Sequence, residues 1–166
     1  MDAMINGLLI IDKEKDMTSR DVVNEVSKIF KTKKVGHTGT LDPIATGVLV
    51  LTIGKATKLN ELITATEKKY QVEAILGLKT DTLDITGNVL KKENTNFTKE
   101  EITNTLNSFL GSYNQEVPIY SAVKINGKKL YEYARNKENV TLPKRVVNIK
   151  EIVLDDINYI DNQTII

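Results

Sequence analysis

The chain has 166 residues, 23 of them Lys or Arg against 22 Asp or Glu, for a net charge of +1. That length suits one domain with a sizeable core, and so small a charge offers no global attraction for a nucleic acid. There is no cysteine and only 1 histidine, which excludes disulfides, thiolate metal sites and a multi-histidine metal centre within one chain.

No apolar run approaches the length of a membrane span, and Met1–Gly7 lacks the basic start and apolar stretch of a signal peptide, so the cytoplasm is the expected compartment. Leu8–Ile11, bounded by Gly7 and Asp12, reads as a buried strand. Thr18 and Ser19 offer N-caps to a helix with Val22, Val23, Val26, Ile29 and Phe30 on one face. Gly36 to Gly47 is polar and Gly-rich with Pro43 in its midst, which rules out regular structure throughout. Val48–Ile53 is predicted as a central strand, followed by a helix with Ala56, Leu59, Leu62 and Ile63 facing inward.

Tyr70–Leu78 is predicted as a strand, and Thr80–Asn88 as a polar connection ending in a Gly-Asn turn. Thr98 with Glu101 spells a capping box for a helix carrying Ile102, Leu106, Phe109 and Leu110 inward, with Gly111 as its stop. Tyr120–Ile125 reads as a strand, Asn126-Gly127 as a tight turn, Lys128–Arg135 as a short helix and Val146–Leu154 as another strand. Gln163–Ile166 begins a β-type run that reads as a chain cut inside a sheet. Strands and helices mix without a βαβ rhythm, and no repeat or linker interrupts them. The expected class is α+β, a mixed, largely antiparallel sheet with flanking helices, truncated at its C-terminal end.

Three basic clusters stand out: Lys31, Lys33 and Lys34; Lys68 and Lys69; and Lys124, Lys128 and Lys129. On charge alone each reads as a solvated face. The segment from Gly36 to Gly47 is the most informative. Its three glycines permit positive φ and close approach by a large ligand, and Pro43 stiffens the turn directly after Asp42. A carboxylate on a rigid bend thus stands near the single imidazole, His37. By itself such a loop is either a connection or a site.

Other chemistries test poorly against the chain. Gly54-Lys55 has Leu49 where a P-loop needs its first glycine and Ala56 where it needs Ser or Thr. Asp81, Asp84 and Gly87 have the wrong spacing for a calcium loop and no closing Glu. No nucleophile elbow accompanies His37. Asp42 and Asp84 together remain a pair able to flank a glycosidic bond.

The loop GHTGTLDPIATGVL, residues 36–49, resembles the signature of the TruB family of tRNA pseudouridine synthases. Further ordered matches are Ile5-Asn6-Gly7 through Asp12-Lys13, Met17-Thr18-Ser19, Lys68-Lys69-Tyr70, Thr80–Asp84 with Gly87, and PIYSAVKINGKKLYEYAR at 118–135. The resemblance covers nearly the whole chain, and the Thr80–Asp84 and 118–135 segments are closer to the stand-alone bacterial type than to relatives in guide-RNA particles.

The resemblance implies a catalytic domain that isomerises a uridine in the tRNA T arm, conventionally numbered 55, to pseudouridine. Asp42 would be the catalytic carboxylate, His37 would enter the T-loop beside the extracted uridine, and Tyr70 would lie against the flipped base. Asp84 and Lys124, in the TDTLD and 118–135 segments, would bind substrate. No metal, cofactor, membrane or protein partner is implied. The family also continues to nearly twice this length, through a strand whose Arg pairs with the catalytic Asp and a C-terminal RNA-binding domain. A non-catalytic RNA-binding or tRNA-chaperone fragment is therefore the alternative. Glu14 and Asp16 stand where the family has Pro and Gly, which puts the turn before the first helix in question.

Overall fold

The computed structural model describes residues 5–64, 66–121 and 123–166. Met1–Met4 of the leading segment and Ala122 of the predicted strand Tyr120–Ile125 lie outside the described residues. The chain divides into two compact units, Met1–Tyr70 and Gln71–Ile166.

The first unit runs β1 (Gly7–Lys13), α1 (Ser19–Ile29), β2 (Val35–His37), β3 (Gly47–Ile53), a 3-10 helix (Gly54–Leu59) and α2 (Asn60–Thr64). The β-branched and aliphatic β3 is the central strand of an antiparallel sheet ordered β1-β3-β2. Leu9 pairs with Leu51 and Ile11 with Leu49, which sets one face of each strand against α1. There Val22, Val23 and Val26 meet Leu49, Leu51 and Ile53 to form the core, with Leu9, Ile11, Met17, Phe30, Val35 and Leu41 packed around it. Strand alternation carries Lys13 onto the same face as Leu9 and Ile11. Thr18 caps α1 in a capping box with Asp21, whose carboxyl is held below its usual range chiefly by the Thr18 hydroxyl. The apolar stripe of α1 is narrower than predicted: Ile29, in its last turn, is 71% exposed. Leu59 and Leu62 are exposed as well, because that predicted helix is broken into a 3-10 stretch and a single α-turn.

The second unit contains β4 (Leu78–Thr80), β5 (Val89–Lys92), α3 (Lys99–Asn107), β6 (Gly111–Glu116), β7 (Lys124–Ile125), β8 (Lys128–Lys129), α4 (Leu130–Arg135), β9 (Lys144–Ile149), β10 (Asn158–Ile160) and β11 (Gln163–Ile165). Its strands pair antiparallel as β4-β5, β6-β9, β7-β8 and β10-β11. The α+β, largely antiparallel character expected from sequence holds, with the pairing spread over small sheets.

The Thr98–Glu101 capping box opens α3 as read. Phe109 and Leu110 lie beyond its end and are exposed, and Phe109 meets Tyr113 edge-on at 6.3 Å. Gly111 starts β6, with φ +90, instead of merely stopping a helix. The Asn126-Gly127 turn is a tight hairpin with both residues at positive φ, as its sequence demands. Three predicted strands change. Tyr70–Leu78 is not a strand over its length; within it Ile75 bridges to Ile165 and Leu78 opens β4. Of Tyr120–Ile125 only Lys124–Ile125 is a strand, and Val146–Leu154 shifts to Lys144–Ile149. Strand β11 is paired on both sides, to β10 and, through Ala74–Ile166 and Leu76–Thr164 hydrogen bonds of 2.8–3.0 Å, to the 74–76 segment.

Candidate active site

The loop of residues 38–46 leaves the first unit's sheet after His37 and rejoins it at Gly47. Its entry is fixed by Thr38, whose N–H and Oγ1 both donate to the Val50 carbonyl at 3.0 and 3.3 Å. The Thr38 carbonyl in turn accepts from Thr64 Oγ1 at 2.8 Å. Gly36 serves close approach: a Cβ there would collide with the Asn60 amide, which accepts from Thr52 Oγ1 at 2.6 Å. Among the loop's three glycines only Gly47, φ +115, uses the left-handed region.

His37 is half-buried, and its Nδ1 lies 2.6 Å from the Gly39 carbonyl. A carbonyl only accepts, so Nδ1 carries a hydrogen and donates, which leaves Nε2 of the neutral ring as an acceptor. The imidazole is thus oriented by its own loop.

Asp42 is exposed, while the residues on either side of it are tied down. Leu41 packs on the core, and its N–H donates to Ser19 Oγ at 2.9 Å while that hydroxyl donates back to the Leu41 carbonyl at 3.2 Å. The Pro43 carbonyl accepts from the Asp16 N–H at 2.7 Å and from Lys13 Nζ at 3.4 Å. Lys13 Nζ also donates to the Met17 and Glu14 carbonyls at 2.7 and 2.9 Å. Ala45 N–H closes the bend onto the Asp42 carbonyl at 3.0 Å. Asp16 has φ +67, so the turn takes a glycine-like shape at the position where the resemblance implies glycine. Lys13 and Ser19 were not expected at the site. The alternation Leu9, Ile11, Lys13 was the signal that a lysine faces the core.

The other predicted site residues are separate from this bend in sequence and partly in fold. Tyr70 ends the first unit, 66% exposed and outside any strand. Asp84 belongs to the second unit, in the turn joining β4 and β5. Its Oδ1 accepts from Thr82 Oγ1 at 2.9 Å, Thr86 N–H at 2.8 Å and Thr86 Oγ1 at 2.6 Å. The Thr86 hydroxyl, first among these, lowers the Asp84 carboxyl below its usual value. Lys124 is exposed on β7. Its cluster mates are engaged: Lys128 pairs with Glu138 at 2.6 Å and lies over the Tyr133 ring at 4.6 Å. Lys129 and Arg135 both lie 5.3 Å from the Tyr131 ring centre.

Comparison with known proteins places this loop in context. The model of the TruB family pseudouridylate synthase N-terminal domain matches residues 27–165. The chain belongs to this family. It is 50% identical over 152 residues to tRNA pseudouridine synthase B of Staphylococcus aureus (strain MSSA476), covering 90% of this chain and 50% of the relative. It is 52% identical over 148 residues to tRNA pseudouridine synthase B of Lactobacillus acidophilus, covering 88% and 50% respectively. The chain therefore spans about half the length of these TruB relatives. In fold it is similar to a chain of the crystallised Cbf5-Nop10-Gar1 complex, with a TM-score of 0.57 at 22% identity over 96% of this chain and 37% of that one.

Proposed function

We propose that this chain supplies the catalytic carboxylate of an enzyme that isomerises uridine to pseudouridine in the T arm of tRNA. The observation that carries the reading is the Asp42 bend: an exposed carboxylate whose two neighbouring residues are both hydrogen-bonded to residues between Lys13 and Ser19. Family membership and two relatives named tRNA pseudouridine synthase B support the substrate class.

The reaction breaks the bond from uracil nitrogen to the ribose, turns the base, and joins a ring carbon to the same anomeric carbon; that ring carbon gives up its hydrogen as a proton and the freed nitrogen takes one up. It needs a carboxylate at that carbon, as nucleophile or proton-transfer partner, and Asp42 fits either role. The uridine must leave its stack, at a cost of about a few kcal/mol. The exposed Tyr70 ring offers a stacking face worth roughly 1–3 kcal/mol in return. His37, oriented through Nδ1, fills space and presents Nε2 to the RNA. Lys124 contributes a phosphate contact, and Asp84 is the remaining proposed substrate-binding residue, its carboxylate held within its own turn by Thr82 and Thr86.

The test is turnover and RNA binding in the full-length protein. Asp42→Asn keeps size and removes charge, so it abolishes turnover by about several orders of magnitude while binding persists. Tyr70→Ala lowers turnover far more than binding. Near-wild-type turnover by Asp42→Asn would favour the non-catalytic RNA-binding alternative.

A further inference from the structure

We propose that Glu138 is an acidic brake on RNA binding: it holds the Lys128 ammonium away from phosphate, so the β7–β8 hairpin meets RNA with one cation fewer than its sequence offers. The proposal rests on the reading of the Lys124 segment as RNA-facing. Lys128 Nζ donates to both carboxylate oxygens of Glu138 at 2.6 Å. The same ammonium lies over the Tyr133 ring at 4.6 Å, so it has a carboxylate on one side and an aromatic face on another.

The end of α4 brings the acid there. Glu138 N–H donates to the Tyr133 carbonyl at 3.0 Å and Lys137 N–H to the Ala134 carbonyl at 3.1 Å, the two bonds of a Schellman motif. That motif needs a left-handed residue between helix and exit, and Lys137 supplies it at φ +54, where glycine is the easier choice. The chain folds back, and Glu138 reaches Lys128. Asn136 Nδ2 steadies the carboxylate by donating to Oε1 at 3.0 Å. The Tyr133 hydroxyl donates to the Ile125 carbonyl at 3.0 Å, which fixes the ring behind the ammonium. The Glu138 carboxyl is held below its usual range, first by the Lys128 bond and then by that of Asn136.

A carboxylate and a phosphate offer an ammonium the same kind of charged acceptor, so Glu138 and RNA compete for Lys128. The two side chains are 29% and 45% exposed, against 72% and 56% in the Lys28–Glu25 pair. A pair of this exposure favours its closed form by no more than roughly fivefold, which RNA can overcome but has to oppose. Lys124, on the facing strand, is exposed and makes no ion pair among the described residues. One lysine of the hairpin is therefore open and the other occupied. While Glu138 holds it, Lys128 belongs to a neutral pair and adds nothing to the release of counterions from RNA.

The test is titration of the full-length protein with a fluorescent T-arm stem-loop RNA and with an unrelated RNA hairpin, from about 50 to 200 mM salt. Wild type is compared with Glu138→Gln, Lys128→Met, the double variant and Lys124→Met. Glu138→Gln keeps length and hydrogen bonding but removes the charge. It is expected to bind roughly two- to fivefold more tightly at the low-salt end. Its log–log salt slope should steepen by about 0.7–0.9, the value of one further phosphate contact. Both RNAs should show the gain, because phosphate contacts carry no sequence information. Lys128→Met should cost more affinity in the Glu138→Gln background than in the wild type. Weaker binding or an unchanged slope in Glu138→Gln would show that the pair only staples hairpin to helix, and would overturn the proposal. A gain confined to one RNA, or equal losses from Lys128→Met in both backgrounds, would overturn it as well. Lys124→Met and Asp42→Asn keep the two ideas apart. Undiminished affinity in the first and full turnover in the second would sink the functional reading, while the slope of Glu138→Gln with either RNA decides the brake.

Discussion

Asp16 shows how a departure from a family pattern is absorbed at one residue. It stands where the resemblance noted in the sequence implies glycine, yet it adopts φ +67 and delivers its N–H to Pro43 at 2.7 Å. Left-handed backbone costs an ordinary residue about 1–2 kcal/mol, and Asp less because its short polar side chain tolerates the region. Glycine would remove that strain but would widen the unfolded ensemble by about 0.4–1 kcal/mol. Asp16→Gly is therefore expected to raise unfolding free energy by at most about 1 kcal/mol in urea titration, with the Pro43 bond intact. Asp16→Val, β-branched at positive φ, should lower it by more than about 1 kcal/mol. A clear loss of stability in Asp16→Gly would mean that the Asp side chain itself supports the turn. The candidate site was legible at this scale wherever residue type speaks alone: Asp42, its following Pro43 and the lone His37 all stand in the sequence. Lys13 and Ser19 were legible only as an opening strand and a cap, because their bonds to Pro43 and Leu41 span 30 and 22 residues.

Among the elements, local signals proved the readable ones. Thr18 with Asp21 and Thr98 with Glu101 cap α1 and α3 through bonds three residues apart, and Asn126-Gly127 sets its own hairpin. Strands were misread where the partner is distant, since residues 74–76 owe their extended form to the end of the chain; β5, which pairs locally with β4, went unread because it is exposed throughout and shows no alternation. The turn between β4 and β5 lies between these cases, since its carboxylates do the organising. Asp81 accepts from the Asn88 N–H and side-chain amide at 2.8 and 3.0 Å, and Asp84 gathers Thr82 and Thr86. Both carboxyls are lowered from 3.8, chiefly by the Asn88 amide and the Thr86 hydroxyl respectively. A depressed folded pKa means the stabilisation is complete above the unfolded value and fades as pH falls through the folded one. The turn is thus expected to hold unchanged from neutral pH down to about 4 and to loosen only below it. A pH titration of the Thr86 and Asn88 amide resonances checks this. A transition centred above the ordinary Asp value would contradict it.

The division into two units was not legible at the whole-molecule scale. The residues around Tyr70 and Gln71 contain no glycine or proline to announce a boundary; Lys68 instead spans back to the Thr64 and Thr66 carbonyls at 2.6 and 3.1 Å. What separates the units physically is where apolar side chains are buried. The first has one contiguous cluster, Val22, Val23, Val26, Leu49, Leu51 and Ile53. In the second, among the described residues, the buried apolar side chains are Ile102, Val117 and Leu130, whereas Val72, Leu83, Ile85, Val89, Leu90, Val146 and Val153 are exposed. Burial of apolar area is the main favourable contribution to folding, so the first unit should carry the higher opening free energy. In this chain, hydrogen exchange is expected to be slowest at β3 amides and faster throughout the β6–β9 ladder. Leu51 is 0% exposed at the centre of the cluster, and Leu51→Ala should cost about 2–5 kcal/mol there. That loss should appear as faster exchange in β1, β3 and α1, and in the Leu41 amide that packs against them, with the β6–β9 amides unchanged. Slowing of β6–β9 relative to β3 in the wild type, or a uniform response to Leu51→Ala, would show that the two units unfold as one cooperative body. The Asp42 bend would then draw its stability from the whole chain and not from the cluster beneath Leu41.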